Sequence, residues 1–213
     1  DELHAEEPTW TVGLQYQLTD DLMLYSSIAR GFKSGGFDVN ATPARVDIDN
    51  ISVGPEFITS YEVGIKSVWL DGRLRANGAI FHHIYEDMQV SQRSFDPDAR
   101  GGRGATVTTL LNAAEAQGRG AELDLALQAT EAFTLTASVG YVHSRFESFQ
   151  GVEVIDGVDI DGSGNKIPFV PEFTANVAVD HEILLSGGAV WKTHLDYAFV
   201  DNFYDSEDGG RNQ

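Results

Sequence analysis

The chain has 213 residues, no cysteine, 33 acidic against 14 basic side chains, and a formal charge of −19. That balance argues against nucleic acid as a partner, since phosphate binding needs a basic surface, and the missing cysteines exclude a disulfide framework, a thiolate metal site and a thiol nucleophile. With 42% hydrophobic residues it is a folding composition, long enough for one large domain or two small ones, and no apolar run approaches the roughly 20 residues of a membrane helix.

Period-two alternation predicts strands almost everywhere. The first sets Trp10, Val12, Leu14, Tyr16 and Leu18 against Thr11, Gly13, Gln15 and Gln17. Thr19, Asp20 and Asp21 turn the chain into a second strand with Leu22, Leu24, Ser26 and Ile28 on one side. A polar, Gly-containing loop is expected over about 32–59. Tyr61, Val63, Ile65 and Trp69 then oppose Glu62, Gly64 and Lys66. Asp71-Gly72 is a two-residue hairpin signal, because both residues tolerate positive φ. The strand after it sets Leu74, Ala76, Gly78 and Ile80 against Arg73, Arg75, Asn77 and Ala79, with parity persisting to about Val90.

A loop rich in Gly, Arg and Asp is expected over about 92–109. Ala121, Leu123, Leu125 and Leu127 next oppose Glu122, Asp124 and Gln128. Thr130, Glu131 and Ala132 turn the chain into Phe133, Leu135, Ala137, Val139 and Tyr141, backed by Thr134, Thr136, Ser138 and Gly140. An acidic loop over about 147–171 precedes Phe173, Ala175, Val177 and Val179. A turn at Ser186, Gly187 and Gly188 leads into Trp191, Leu195, Tyr197 and Phe199, which oppose Lys192, His194 and Asp196.

About eight strands result, joined by connections that alternate short and long. An up-and-down meander then has every tight turn at one end and every long loop at the other, the asymmetry of outer-membrane barrels. On the apolar faces, Tyr16, Trp69, Phe133 and Trp191 lie near the tight turns. Trp10, Tyr61, Tyr141, Phe173 and Tyr197 lie towards the long loops. Eight positions separate Trp69 from Tyr61 and Phe133 from Tyr141. At about 3.3 Å per residue and a tilt near 40° this is roughly 20 Å, close to one hydrocarbon layer. The fold class expected is all-β, an up-and-down antiparallel transmembrane β-barrel whose apolar face meets lipid.

Four blocks make the chain recognisable: "LYSSIARGFKSGGFD" (24–38), "SYEVGIKSVWLDGRLRANGAIFHHIYEDMQV" (60–90), "NAAEAQGRGAELDLAL" (112–127) and "KIPFVPEFTANVAV" (166–179). Together they resemble TonB-dependent outer-membrane receptors. The resemblance implies a barrel of the 22-strand type, filled by an N-terminal plug domain. It imports a scarce ligand such as a ferric siderophore, powered through a periplasmic TonB protein. The partners it implies are outer-membrane lipid, the receptor's own plug domain, TonB and a small-molecule ligand. On this reading residues 1–213 are an internal, partial barrel domain, with the plug and the terminal barrel strands absent. Two other readings fit the alternation: a complete eight-stranded outer-membrane barrel serving structure or adhesion, and a soluble all-β calcium-dependent binding module.

No nucleophile elbow or phosphate loop occurs, so no enzyme activity and no cofactor are expected. A bound ligand would sit at the loop end of the lumen, where aromatics stack and cations meet an anionic chelate. The candidates are Phe32, Lys33, Phe37, Tyr85, Gln89, Arg93, Asn112, Gln117 and Arg119, each weighed against ordinary rim packing. "DIDGSGN" (159–165) resembles the start of a calcium loop through Asp159, Asp161, Ser163 and Gly164, but Val170 stands where the twelfth-position Glu belongs, so a solvated acidic loop is favoured and no metal is assigned. His82 and His83 are adjacent in a strand and point to opposite faces, His82 to the outer rim and His83 to the lumen.

Overall fold

The computed structural model describes residues 6–37, 52–96, 104–149, 153–155 and 158–205. In chain order the strands are β1 (Trp10–Thr19), β2 (Leu22–Lys33), β3 (Gly36–Phe37), β4 (Ser52–Val53), β5 (Glu56–Trp69), β6 (Leu74–Asp96), β7 (Ala105–Thr130), β8 (Phe133–Phe149), β9 (Glu153–Ile155), β10 (Val158–Ile160), β11 (Phe173–Leu184) and β12 (Val190–Val200). The eight long strands form one sheet in the order β1-β2-β5-β6-β7-β8-β11-β12, each antiparallel to its neighbours. The β9–β10 hairpin attaches beside the far end of β6, and β3 pairs with β4 separately.

Tight turns join β1 to β2, β5 to β6, β7 to β8 and β11 to β12, all at one end of the sheet. Their chemistry is local. The Thr19 hydroxyl accepts from the Asp21 amide, and the Thr130 hydroxyl accepts from the Ala132 amide. Asp71 and Gly72 both have positive φ (54° and 88°), and the Arg73 amide donates to the Leu70 carbonyl. Leu70 has positive φ as well (56°), and the last strand pair is Trp69 with Leu74, so the connection turns over four residues, two more than the sequence signal implies.

Register carries each face across the whole sheet. One row reads Tyr16, Leu24, Ile65, Gly78, Leu123, Val139, Ala175 and Phe199. A row on the opposite face reads Gln17, Met23, Lys66, Asn77, Asp124, Ser138, Asn176 and Ala198. The apolar face is exposed: Trp69 is 54% exposed, Ile80 62% and Leu195 66%. All nine girdle aromatics expected from the sequence are exposed too. A contiguous apolar surface spanning eight strands far exceeds what a water-soluble monomer presents. It fits hydrocarbon.

On the polar face two glycines receive aromatic rings. A Cβ at Gly64 would overlap the Tyr25 ring of β2, over which the Lys66 ammonium sits at 5.5 Å. A Cβ at Gly120 would overlap both the Phe81 ring and the Tyr141 carbonyl of the neighbouring strand.

The tightly packed core lies at the end opposite the tight turns. Val90, Ala114, Ala116, Phe146 and Phe149 are buried there, with Tyr85, Met88, Ile160 and Ile167 around them. The Phe146 and Phe149 rings are 5.0 Å apart. This core sits above the strand length that a membrane accommodates. A spanning strand needs about 9–11 residues, whereas β6 and β7 have 23 and 26.

Here the sequence expectation needs correction. Much of the loop expected over 92–109 is strand, because β6 and β7 stay paired out to Asp96 opposite Ala105. Thr106, Val107, Thr108 and Thr109 are β-branched and favour pleated backbone, and the glycines that signalled a loop lie outside this run. Likewise Glu56 to Thr59 belong to β5, extending the alternation of Tyr61 and Val63 backwards.

Candidate functional site

The end carrying the long connections holds the polar side chains singled out from the sequence. Its architecture starts at a β-bulge: between Tyr85 and Met88 the β6–β7 register shifts, and Asp87 takes φ 54°. Aspartate tolerates that left-handed region better than most residues. The bulge presents the Asp87 carbonyl to Asn112, whose Nδ2 donates to it at 2.7 Å.

Asn112 also pairs with both backbone groups of Gly54. Its Oδ1 accepts from the Gly54 amide at 2.6 Å and its Nδ2 donates to the Gly54 carbonyl at 3.1 Å. Gln89 works in parallel. Its Nε2 donates to the carbonyls of Ser34 and Gly54, both at 3.0 Å, while its amide donates to the Glu56 carboxylate at 2.9 Å. The Lys33 ammonium lies 3.7 Å from the same carboxylate. Lys33, Gln89 and Asn112 thus converge around the chain between β2 and β5. The Gln89 and Asn112 side chains are engaged with backbone and Lys33 with the Glu56 carboxylate, so they shape the mouth. Glu56, which the sequence reading placed inside a loop, joins them. Its signal was the unbroken alternation of Phe57, Thr59 and Tyr61.

Replacing Asn112 by Ala should release the Gly54 segment. Three exposed hydrogen bonds together contribute about 1–3 kcal/mol, so the Gly54 amide is expected to exchange with deuterium roughly 10–100-fold faster. Unchanged exchange would show that Asn112 does not hold this segment.

The other candidates separate by face. Tyr85 is half-buried against the apolar core, and Phe37 in β3 is exposed. Of Arg93 only the backbone, in β6, is described. Phe32, Gln117 and Arg119 are corrected. No bulge interrupts the register between the apolar band and these positions, so strict period two keeps them on the band's face rather than the polar face. Phe32 packs there against Phe57, with centroids 6.5 Å apart, and Gln117 donates to the Glu147 carboxylate. His82 and His83 do fall on opposite faces: His82 stacks on Tyr61 and His83 on Phe81.

Residues 162–172 run beside the upper part of β8 and continue the sheet where β11 has ended. The Phe146 amide donates to the Asn165 carbonyl, the Gly164 amide to the Phe146 carbonyl and the Val142 amide to the Glu172 carbonyl. Of the calcium candidates, Asp159 has only its backbone described, in β10. The Asp161 carboxylate accepts from the Ser163 amide at 2.8 Å, and the Ser163 hydroxyl accepts from the Phe149 amide at 3.0 Å. These oxygens dock the turn onto β8. Among the described residues no group of three His, Asp or Glu gathers as metal ligands do.

Glu172 clamps the segment's lower end. Its carboxylate meets Lys166 Nζ and His143 Nδ1, each at 3.1 Å. The Lys166 hydrogen bond, aided by His143, holds the carboxyl below its ordinary 4.5, against an opposing push from burial. A depressed folded-state value stabilises above the unfolded value and is lost as pH falls through the folded one. Protection of 162–172 should therefore weaken as pH drops below about 4.5, and Glu172→Gln should abolish that acid response. A pH series of amide exchange reads both.

Comparison with known proteins places this geometry. A family profile described as "TonB dependent receptor-like, beta-barrel" matches residues 4–213. The "Probable TonB-dependent siderophore receptor PiuA" of Acinetobacter baumannii is 26% identical over 206 residues, covering 91% of this chain and 25% of the relative. The pesticin receptor of Yersinia enterocolitica is 27% identical over 175 residues, covering 82% of this chain and 22% of the relative. The chain thus spans about a quarter of the length of the curated relatives it matches. Among solved structures, the ferric yersiniabactin uptake receptor of Yersinia pestis superposes with a TM-score of 0.72 at 22% identity, over 94% of this chain and 27% of that one. The match extends over nearly the whole sequence and agrees with the outward apolar band, the one-ended tight turns and the overlong hairpins. The chain belongs to the TonB-dependent receptor-like β-barrel family.

Proposed function

We propose that this chain forms part of the wall of an outer-membrane receptor that actively imports a scarce ligand such as a ferric siderophore, with energy delivered through TonB. Family members are outer-membrane transporters rather than enzymes. The observation that carries the reading is the family match over residues 4–213, together with relatives described as siderophore receptors. In the full-length protein a plug domain would fill the barrel against the polar face, where Lys66, Asn77, Asp124 and Asn176 align. The mouth built by Lys33, Glu56, Gln89 and Asn112 would lie at the ligand-entry end.

The test is uptake of radio-iron by source cells supplied with hydroxamate, catecholate and mixed-ligand siderophores. Deleting the gene for the full-length protein should remove uptake of at least one of them. Complementation should restore it, and loss of TonB should remove it again. Uptake unchanged by deletion across the panel would reject siderophore import.

A further inference from the structure

Arg119 lies on the lipid-facing side, in a row that reads Tyr61, His82, Arg119 and His143 across four strands. Directly opposed residues in antiparallel strands sit about 4.5–5.5 Å apart, so the guanidinium emerges between two imidazoles. Its height is fixed by the chain. Thr130 closes the tight turn, and the eleven positions up to Arg119 rise roughly 28 Å at a tilt near 40°. The outward apolar band of such barrels is about 25 Å tall. Arg119 therefore stands at its upper boundary, just above Ala121 and beside Tyr141.

The chain has 33 carboxylates for 14 Lys and Arg, yet Arg119, like Arg75 on the polar face, pairs with none of those described. Of the carboxylates on this face, Glu115 stands four positions further along β7, and the others are engaged elsewhere. Glu86 pairs with Arg30 at 2.6 Å, Glu147 accepts from Gln117, and Glu172 holds His143 and Lys166. Arg145 donates to His143 Nε2 and the Gly164 carbonyl. Among the described residues no hydrogen bond or ion pair engages Arg119, and it is exposed.

We propose that Arg119 is the anchor of a lipid site on the barrel's outer wall: it binds a phosphate-bearing headgroup of the outer leaflet, with His82 and His143 flanking it. Guanidinium and phosphate match in charge and in forked geometry, and the headgroup layer is where the side chain emerges. The acyl chains of the same lipid would lie over Ile80, Leu123 and Val139 below. This site faces away from the transported ligand, so it stands apart from the import reading.

The test uses the full-length receptor, extracted from its own membrane in mild detergent, with native mass spectrometry reading co-purifying phospholipid and phosphorylated glycolipid. Heat-modifiable migration on gels checks that each variant is folded. Wild type should retain a phosphate-bearing lipid, Arg119→Gln should retain at least fivefold less, and Arg119→Lys should keep part of it. Retention in Arg119→Gln equal to wild type would overturn the proposal. So would an equal loss in the folded control Arg75→Gln on the polar face, or retention that is insensitive to removing the lipid's phosphate. Inorganic phosphate added in excess should displace little, because the apolar band contributes as well; complete displacement would mean that an ion-binding site has been mistaken for a lipid site.

Discussion

Leu123→Arg in the full-length receptor is expected to prevent insertion of most molecules, while Asp124→Asn, one residue away, is expected to leave insertion near normal. Leu123 is 45% exposed on the isolated sheet, so in water an arginine there would change stability by no more than about 0.5 kcal/mol. In a bilayer the same change costs about 2–4 kcal/mol at mid-depth. Leu123 lies inside the band, seven positions or roughly 18 Å above Thr130, in the row with Ile65 and Val139. Asp124 projects to the other face, opposite Asn77 and Ser138. The measurement is the fraction of outer-membrane receptor that shows heat-modifiable migration. Equal fractions for wild type and Leu123→Arg would reject a lipid-facing Leu123 and with it the orientation of the sheet.

The second large effect concerns the two glycines beneath aromatic rings, which should respond differently to the same cure. At Gly64 the obstruction to a Cβ consists entirely of Tyr25 ring atoms. Gly64→Ala should cost about 1–3 kcal/mol through overpacking, and adding Tyr25→Ala should recover most of the overpacking. At Gly120 the obstruction includes the Tyr141 carbonyl, which is backbone. Gly120→Ala should force β7 and β8 apart, and adding Phe81→Ala should recover little. Urea-gradient unfolding of wild type and six variants (the two glycine singles, Tyr25→Ala, Phe81→Ala and the two doubles), as double-mutant cycles, gives the coupling energies. Recovery at Gly120 as complete as at Gly64 would show that the Tyr141 carbonyl yields easily and that the ring alone matters.

Much of this fold is legible in the sequence because side-chain period and environment coincide. In β8, Phe133, Leu135, Ala137, Val139 and Tyr141 alternate with Thr, Ser and Gly without interruption, and the structure follows them residue by residue. The tight turns are legible for the same local reason, since Asp71-Gly72 and the Thr19 and Thr130 hydroxyls act within three residues. The upper hairpins were less legible. Above the membrane both faces meet protein or water, so the alternation at Thr106, Thr108 and Leu110 no longer advertises itself, and glycine content suggested a loop instead. The candidate site was half-legible. Lys33, Gln89 and Asn112 do gather, but their union depends on Gly54 and Glu56, which sequence distance hides. Arg119 was misplaced because its chemistry suggested a ligand-facing role, whereas its parity with Leu123, traceable by counting, decides its face.

The combination of strict parity with one-ended tight turns has a consequence for heredity. Adding or deleting one codon within any spanning strand exchanges its lipid-facing and interior residues from that point to the next turn. The two-residue turns after Thr19 and Thr130 each already stand beside a one-residue register shift and add no loop to absorb another. Gene-length variation in such a wall is thereby channelled to the opposite end, into connections such as 97–104 and 150–172. Descendants of this sequence can diversify rapidly in what they meet outside the cell, while the frame that holds them in the bilayer keeps its residue count.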